Sequence, residues 1–427
     1  MSWLFLWVSG DWSVIDLERL ADEFVVPDYG GSTLANIPAT VAALLEAPFE
    51  GLPPLYEHYW RPFQGKTRRV IVLLLDAFGW SLFQKEREQL EWLTAQTAVE
   101  GQLTSIFPTT TVAALSSLWT GYAPAQHGLV GLRLLFPEFA TLGQLIKFSP
   151  NFMSMPDALV QAGTAPETFL AVPGFGEQLG AAGVPVHSFK GKDIIKSVLS
   201  RMHDRGVRQQ HSYVTTADLF VQLRQLLEET AGERLYINAY WPAIDTLSHT
   251  AGPEGVSVAA ELHAVLSQLR TEVFERLSPA ARSETALFIT GDHGQIRTTP
   301  EHSLNLAHYD GITENMLMRP AGEPRVLYMY ARQGRKQALM DYINATMPEA
   351  AIALDADEVL ASGLLGPTPH APKSRERMGD VVVLMRDNYL IVDPDEAHKV
   401  NILNGRHGGM SAAEMQTPWL GFKLDQL

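Results

Sequence analysis

The sequence contains no cysteine among its 427 residues. A disulfide framework is therefore excluded, and any metal site must be built from oxygen and nitrogen ligands. The absence of cysteine also fits a reducing compartment, so we expect the protein to be cytoplasmic.

Long apolar runs are missing as well. No window reaches the ~20 apolar residues that a membrane-spanning helix needs, and we expect no membrane partner. The first nine residues, M-S-W-L-F-L-W-V-S, are apolar, but they lack a basic flank and a clear small-residue cleavage site. We therefore interpret them as a strand or an irregular start rather than as a signal peptide.

Positive charge is scarce. Lys and Arg number 33 against 48 Asp and Glu, which gives a formal net charge of -15. Binding to DNA or RNA depends on Lys and Arg that neutralise phosphates, so this composition disfavours a nucleic-acid polymer as partner. A small anionic substrate is compatible with the charge if metal ions supply the positive field locally.

The chain is long enough to bury a large core. With 46% hydrophobic and 19% charged residues, its composition is that of a globular enzyme. The length favours one large α/β domain with an insertion, or two domains. We predict an N-terminal arm (1–64) packed on the core, a metal-binding catalytic α/β domain (65–299 and 376–427) and an inserted cap over the crevice (300–375).

Three apolar runs lead to acidic residues. Residues 70–75 have no polar side, which predicts a strand buried on both faces of a parallel sheet, and residues 235–240 and 286–290 are similar. The carboxyl ends of parallel strands open onto the ligand crevice, so the side chains that follow should converge there. These side chains are Asp76, Asp245, His249, Asp292 and His293.

Each of these signals alone also has a structural explanation. Asp245 and His249 have the spacing of an ordinary surface pair, and Asp76 suits a helix cap. The turn formed by Gly291, Asp292, His293 and Gly294 also suits a capping aspartate.

A threonine block stands at the start of another predicted helix. Pro108 ends a short strand, Thr109, Thr110 and Thr111 follow, and the apolar periodicity stops before Gly121. A hydroxyl at a helix N-terminus lies beside unpaired N–H groups, which favours a phosphate oxyanion there. The simpler role of each threonine is that of an N-cap.

Taken together, these motifs and a late H-G-G at His407 form an ordered set. The set resembles the alkaline phosphatase superfamily, specifically its type I phosphodiesterase/nucleotide pyrophosphatase family, over most of residues 68–294 and about 378–418. The resemblance implies an alkaline phosphatase-like three-layer α/β sandwich with a mostly parallel central sheet and an inserted cap. It also implies a metal-dependent phosphoric ester hydrolase with two divalent metal ions.

Carried over by motif, the resemblance implies two sets of metal ligands. The ligands of one ion would be Asp76, Asp292, His293 and the nucleophile hydroxyl, and those of the other would be Asp245, His249 and His407. Such mixed nitrogen and oxygen sites suit Zn²⁺, with Mn²⁺ as the alternative. His302 and His308 are rivals for the last ligand position, but the glycines beside His407 permit a close backbone approach.

The same resemblance implies a threonine nucleophile. In the family it is the second threonine of P-T-x-T, nine residues before the Thr of a T-G pair, and counting back from Thr120 gives Thr111, with Thr110 as the alternative. A metal ion would lower the pKa of this hydroxyl, and a covalent phospho-threonine would form and then be hydrolysed.

One position departs from the family pattern. Eukaryotic-type nucleotide pyrophosphatases have an asparagine shortly after their H-G turn, whereas this chain has Leu132 there. Arg133 is either a substitute in substrate binding or simply exposed. We expect a phosphodiesterase or nucleotide pyrophosphatase-like hydrolase of small phosphate esters. The alternatives are a phosphomutase, phosphomonoesterase or phosphonate hydrolase of the same superfamily, or a non-catalytic scaffold.

Overall fold

The structure is a computed structural model that describes residue 15 and residues 17–427. It contains two seven-stranded sheets and two short two-stranded ones. The first nine residues, which we interpret above as a strand or an irregular start, lie outside the residues that the structure describes. Across the described residues, no helix has both the length and the apolar character needed to cross a membrane.

The central sheet is mostly parallel. Its five neighbouring strands from Thr285–Thr290 to Gln209–Tyr213 all run in one direction. Only Gln416–Lys423 is antiparallel to both of its neighbours. In spatial order, the strands are Val99–Thr104, Gln416–Lys423, Thr285–Thr290, Arg69–Leu75, Leu235–Trp241, Val186–Gly191 and Gln209–Tyr213. The predicted α/β fold with a mostly parallel central sheet is confirmed.

The strand Arg69–Leu75 lies at the middle of this sheet and is buried along its whole length. Its alternate side chains enter two different cores: Ile71 and Leu73 pack on one face, and Val70 and Val72 on the other. Burial of each such side chain contributes roughly 1.5–3 kcal/mol of hydrophobic free energy. The unbroken apolar run in the sequence therefore reflects a strand covered on both faces.

Helices form the two outer layers. Thr216–Glu229 and Val256–Leu269 cover one face, and Ile37–Leu44, Thr111–Leu118 and Phe175–Ala181 cover the other. The other α-helices described are Leu17–Ala21, Trp80–Lys85, Glu91–Thr94, Pro124–His127, Ala158–Gln161, Val198–His203, Ala243–Ala251, Pro279–Arg282, Asp310–Asn315, Lys336–Thr346, Ala356–Ala361, Ser374–Arg377 and Ala412–Met415.

The second sheet takes strands from both sides of the predicted cap boundaries. In spatial order, its strands are Ala351–Asp355, Val381–Met385, Val326–Met329, Ala321–Glu323, Arg133–Phe136, Thr141–Gln144 and Ser149–Pro150, all paired antiparallel. The two-stranded sheets pair Ile296–Arg297 with Gly405–Arg406 and Ser303–Asn305 with Leu390–Val392. The division into arm, catalytic domain and cap stays a prediction.

Two elements differ in extent from their predictions. From the sequence we predict a short last strand at 420–427, whereas the strand in the structure spans Gln416–Lys423. It includes Pro418 because that residue pairs with one neighbouring strand only, so its missing N–H is tolerated. From the sequence we predict one long amphipathic helix at 256–277. In the structure the α-helix Val256–Leu269 continues as a π-helical turn at Arg270–Glu275, where the buried carboxylate of Glu272 pairs with Arg224.

Candidate metal centre

The carboxyl ends of three central strands lie at one edge of the sheet. Leu75 pairs with Trp241, and Leu74 pairs with Thr290, so the strands end level with one another. The side chains that follow them therefore converge, and the Thr111 helix and the loop after Arg406 approach the same edge. The side chains brought together are Asp76, Thr111, Asp245, His249, Asp292, His293 and His407.

The first cluster surrounds His293 and is buried. Its Nε2 atom lies 3.4 Å from Oδ2 of Asp292 and 3.6 Å from Oδ1 of Asp76. The hydroxyl of Thr111 lies 3.2 Å from the same nitrogen. Oδ1 of Asp76 and Oδ2 of Asp292 are buried and have no hydrogen-bond partner among the described residues.

The second cluster surrounds Asp245, one helical turn before His249 on the same face of the helix Ala243–Ala251. Oδ2 of Asp245 lies 3.4 Å from Nε2 of His249, and Oδ1 lies 3.7 Å from Nε2 of His407. The rings of His407 and His293 stack with their centroids 3.9 Å apart. The two clusters are therefore adjacent parts of one centre.

All three histidines are oriented by backbone carbonyls. Nδ1 of His249 donates to Gly405, and Nδ1 of His407 donates to the carbonyl of Thr109, at 2.8 and 2.7 Å. Nδ1 of His293 donates to Gly294 at 3.1 Å. With the proton on Nδ1, each Nε2 presents a lone pair toward the carboxylates, as in metal-binding histidines.

Burial shifts the pKa values of Asp76, Asp292, His293 and His407 in the direction that favours their uncharged forms. Loss of solvation, followed by the negative charges of Asp292 and Asp245, raises the pKa of Asp76 well above its usual value. Burial also raises the pKa of Asp292 to about 6. It lowers the pKa of His293 to about 4 and that of His407 to about 3, so both rings are neutral near pH 7.

These observations test whether the residues suit a metal ion. Carboxylate oxygens and unprotonated imidazole nitrogens face one another across 3.4 to 3.7 Å. All of these atoms are lone-pair donors, so a cation between them would relieve their repulsion. Two groups of three residues offer potential ligand atoms, and within each group these atoms all lie within 4.8 Å of one another. The groups are Asp76, Asp292 and His293, and Asp245, His293 and His407. The residues fit divalent metal ions.

The threonine block separates into three roles. The hydroxyl of Thr109 accepts from the N–H of Gly408 at 2.9 Å and donates to the carbonyl of Gly409 at 2.7 Å. Thr110 has an extended conformation and precedes the helix Thr111–Leu118. Of the three, Thr111 is the residue whose hydroxyl contacts His293.

The rival histidines and Arg133 lie elsewhere. Nδ1 of His302 is 2.9 Å from the hydroxyl of Thr299, and neither His302 nor His308 belongs to a candidate ligand group among the described residues. The guanidinium of Arg133 is paired with Glu396 at 2.9 Å. A role for Arg133 in substrate binding stays a prediction.

Two positioning residues had not been predicted. The hydroxyl of Tyr240 donates to Oδ2 of Asp76, and the amide of Gln295 donates to Oδ1 of Asp245 at 2.5 Å. Gln295 directly follows the D-H-G turn, which is a weak signal of its position. Tyr240 belongs to an apolar run, and its sequence context gives no such signal.

Glycines allow the loops of the centre to approach one another closely. A Cβ atom on Gly294 would overlap the carbonyl oxygen of Ala413. The N–H of Gly294 also donates to the carbonyl of Glu414 at 2.8 Å. Gly408 has a backbone φ angle of 122°, which residues other than glycine rarely adopt. The glycines beside the predicted ligands are therefore required by the geometry of their loops.

Comparisons with known proteins identify a family and several solved structures that this chain resembles. The sequence profile of the type I phosphodiesterase / nucleotide pyrophosphatase family matches residues 70–410. No curated protein matches the chain.

Solved structures with a similar fold include murine ectonucleotide pyrophosphatase / phosphodiesterase 5. It is 18% identical with a TM-score of 0.62, and the match covers 83% of this chain and 87% of that one. An inactive form of the same murine protein, in complex with AMP, gives the same identity and TM-score. Phosphonoacetate hydrolase from Sinorhizobium meliloti 1021, in complex with phosphonoformate, is 17% identical with a TM-score of 0.60, covering 83% of this chain and 90% of that one. At these identities the likeness shows a shared fold.

Proposed function

Because the chain belongs to the type I phosphodiesterase/nucleotide pyrophosphatase family, we propose that it hydrolyses small phosphodiester or pyrophosphate substrates at a dinuclear metal centre through Thr111. Family and fold support a phosphoryl hydrolase of this group. The proposal that Thr111 acts at a metal centre is supported most by one contact. The Thr111 hydroxyl lies beside His293, whose ring nitrogen faces the carboxylates of Asp76 and Asp292.

The residues divide between two metal ions. Asp76, Asp292, His293 and the Thr111 hydroxyl would hold one ion. Asp245, His249 and His407 would hold the other. When bound, the two ions would lower the pKa of the threonine hydroxyl and of water and neutralise the charge of the phosphoryl group. The mixed nitrogen and oxygen ligands favour Zn²⁺ over Mn²⁺.

Thr111 forms the covalent bond in the first step. Its Oγ1 attacks phosphorus, the bond from phosphorus to the leaving oxygen breaks, and the oxygen departs with a proton as an alcohol or phosphate. The retained phosphoryl group is then bound to Thr111. Water attacks the same phosphorus in the second step, which restores the threonine hydroxyl and releases the product. The backbone carbonyls that hold the three histidines keep the centre in place during both steps.

Phosphonate hydrolysis is the second candidate. It is supported by the similarity in fold to phosphonoacetate hydrolase and by Leu132, which offers no amide where nucleotide pyrophosphatases have one. The cysteine-free sequence is compatible with our proposal that the protein acts in the cytoplasm.

A panel of three substrates tests the reaction class. Metal-loaded protein is expected to release p-nitrophenol from bis-p-nitrophenyl phosphate at least about tenfold faster than from p-nitrophenyl phosphate, because a diester matches the proposed chemistry. Phosphonoacetate, followed by phosphate release, tests the second candidate. Faster turnover of phosphonoacetate would reverse the order of the two candidates, and no turnover of any substrate with metal bound would contradict both.

Replacing Asp245 with alanine tests the two-metal proposal directly. Asp245 lies between His249 and His407, so its loss should empty one site and lower the metal content from about two to about one ion per chain, as measured by elemental analysis. Asp341→Ala, at an exposed position of the helix Lys336–Thr346, is the control and should keep both ions. An unchanged metal content in Asp245→Ala would contradict the assignment.

A further inference from the structure

A cavity of about 480 Å³ opens beside Thr111. It extends along the helix Thr111–Leu118, whose Leu115 lines it, and reaches Trp119 at the end of that helix. Tyr240, which donates a hydrogen bond to Asp76, also lines it. This volume is that of a binding pocket for a small organic group, so the cavity is placed to hold part of the substrate.

The buried polar groups of the cavity wall already have partners within the protein. Lys190 is paired with Asp204 at 2.8 Å, and both side chains are at most 5% exposed. Nε2 of His203 lies 2.9 Å from the hydroxyl of Ser116. The hydroxyl of Ser200 donates to the carbonyl of Ile194 at 2.8 Å.

The remaining wall is largely apolar. Its apolar part is formed by the side chains of Leu115, Trp119, Ile194 and Leu199. Four exposed charged residues also line the cavity: Lys147, Asp157, Asp193 and Lys196. A nucleoside bound against the four apolar side chains would bury polar atoms of its base and sugar without partners there, which costs affinity. An alkyl or aryl group has no polar atoms that need hydrogen-bond partners when it is buried.

One apolar side chain of the wall is also open to solvent. Ile146, which lines the cavity, is 55% exposed. A large apolar side chain is therefore accessible to a substrate that enters the cavity.

We propose that this cavity binds an apolar ester group of the substrate, so that the preferred substrates are phosphodiesters with an alkyl or aryl group rather than nucleotides. This inference rests on the proposed function. In-line attack by Thr111 places the leaving oxygen on the far side of phosphorus. The cavity borders Thr111 itself and extends along the helix that bears it. The proposal therefore assigns the cavity to the ester group that stays on phosphorus during the first step.

The test is a series of p-nitrophenyl alkyl phosphates with methyl, butyl and octyl groups. For the metal-loaded full-length protein, kcat/KM for p-nitrophenol release is expected to rise about two- to fourfold per methylene until the cavity is filled. The octyl ester should exceed the p-nitrophenyl ester of thymidine 5′-phosphate by at least about tenfold. Values that do not change with chain length, or a better thymidine ester, would overturn the inference.

A binding measurement separates this inference from the proposed function. In Thr111→Ala, calorimetry is expected to show tighter binding of octyl phosphate than of thymidine 5′-phosphate or inorganic phosphate. If no ester is hydrolysed but this order of affinity holds, the reaction class is wrong and the apolar pocket stands. If esters are hydrolysed but octyl phosphate binds no better than inorganic phosphate, the pocket assignment is wrong.

Variants of the cavity wall test whether the gain in kcat/KM with alkyl chain length arises in this cavity. Leu199→Asn should reduce the gain in kcat/KM from methyl to octyl by at least about tenfold, because an amide replaces apolar wall. Ile146→Asn, at an exposed position where folding is not at risk, should reduce it by about two- to fourfold. The control is Val256→Asn, which is 87% exposed on a helix that packs on the opposite face of the central sheet and should leave the gain unchanged. An equal effect of all three variants would contradict the assignment of the wall.

Discussion

Replacing Thr111 with alanine is expected to lower kcat/KM for bis-p-nitrophenyl phosphate by at least about a thousandfold. The change removes the one hydroxyl of the threonine block that contacts His293. It leaves the six proposed Asp and His ligands in place, so the metal content should stay near two ions per chain. Steady-state kinetics and elemental analysis on the same preparation measure both quantities.

Two variants make this result specific. Thr111→Ser keeps a hydroxyl at the same position and should retain measurable turnover with a phosphorylated serine detectable by mass spectrometry. Thr110→Ala removes the neighbouring hydroxyl and should reduce turnover far less than Thr111→Ala. If Thr111→Ala and the native protein are equally active, the nucleophile is Thr110, or water attacks phosphorus directly.

The convergence of the three aspartates of the candidate centre could be predicted from the sequence because each follows a strand with an unusually clear signal. The run before Asp76 is apolar on both sides, so the sequence shows that this strand lies inside a parallel sheet, and the position of Asp76 at its end then follows. Asp245 and Asp292 follow strands of the same kind. Local pattern and tertiary position agree at these residues, and family resemblance supplies their order.

Other parts of the centre depend on contacts between distant segments, which periodicity does not show. Tyr240 is part of an apolar run, yet its hydroxyl orients Asp76. Gln295 orients Asp245 across fifty positions of the chain. The pairing of Val326–Met329 with Val381–Met385 likewise joins segments on either side of a predicted boundary. In each case a hydrogen bond or strand pairing joins residues that are far apart in the sequence. The local sequence around one residue does not indicate which residue it will contact.

Arg325 and Glu414 are the most consequential of these unpredicted contacts. Both side chains are fully buried, and the guanidinium donates to both carboxylate oxygens at 3.1 and 2.9 Å. Glu414 also accepts from the N–H of Gly409, and its carbonyl accepts from the N–H of Gly294. Burial alone would raise the pKa of Glu414, but the charge of Arg325 and the hydrogen bonds from Arg325, Ser411 and Gly409 together lower it below its usual value. The pair therefore connects the second sheet to the loops that follow His293 and His407.

Replacing Arg325 with methionine should destabilise the protein by about 3–5 kcal/mol, because it leaves the carboxylate of Glu414 buried without its partner. The free energy of unfolding from urea titration measures this, and the metal content should fall as the two loops loosen. The double variant Arg325→Met, Glu414→Leu should be more stable than the single one, since neither charge is then buried. Arg270→Met breaks a half-exposed pair with Glu275 and should cost less than about 1 kcal/mol. If Arg325→Met unfolds no more readily than Arg270→Met, the buried pair does not hold the two loops together.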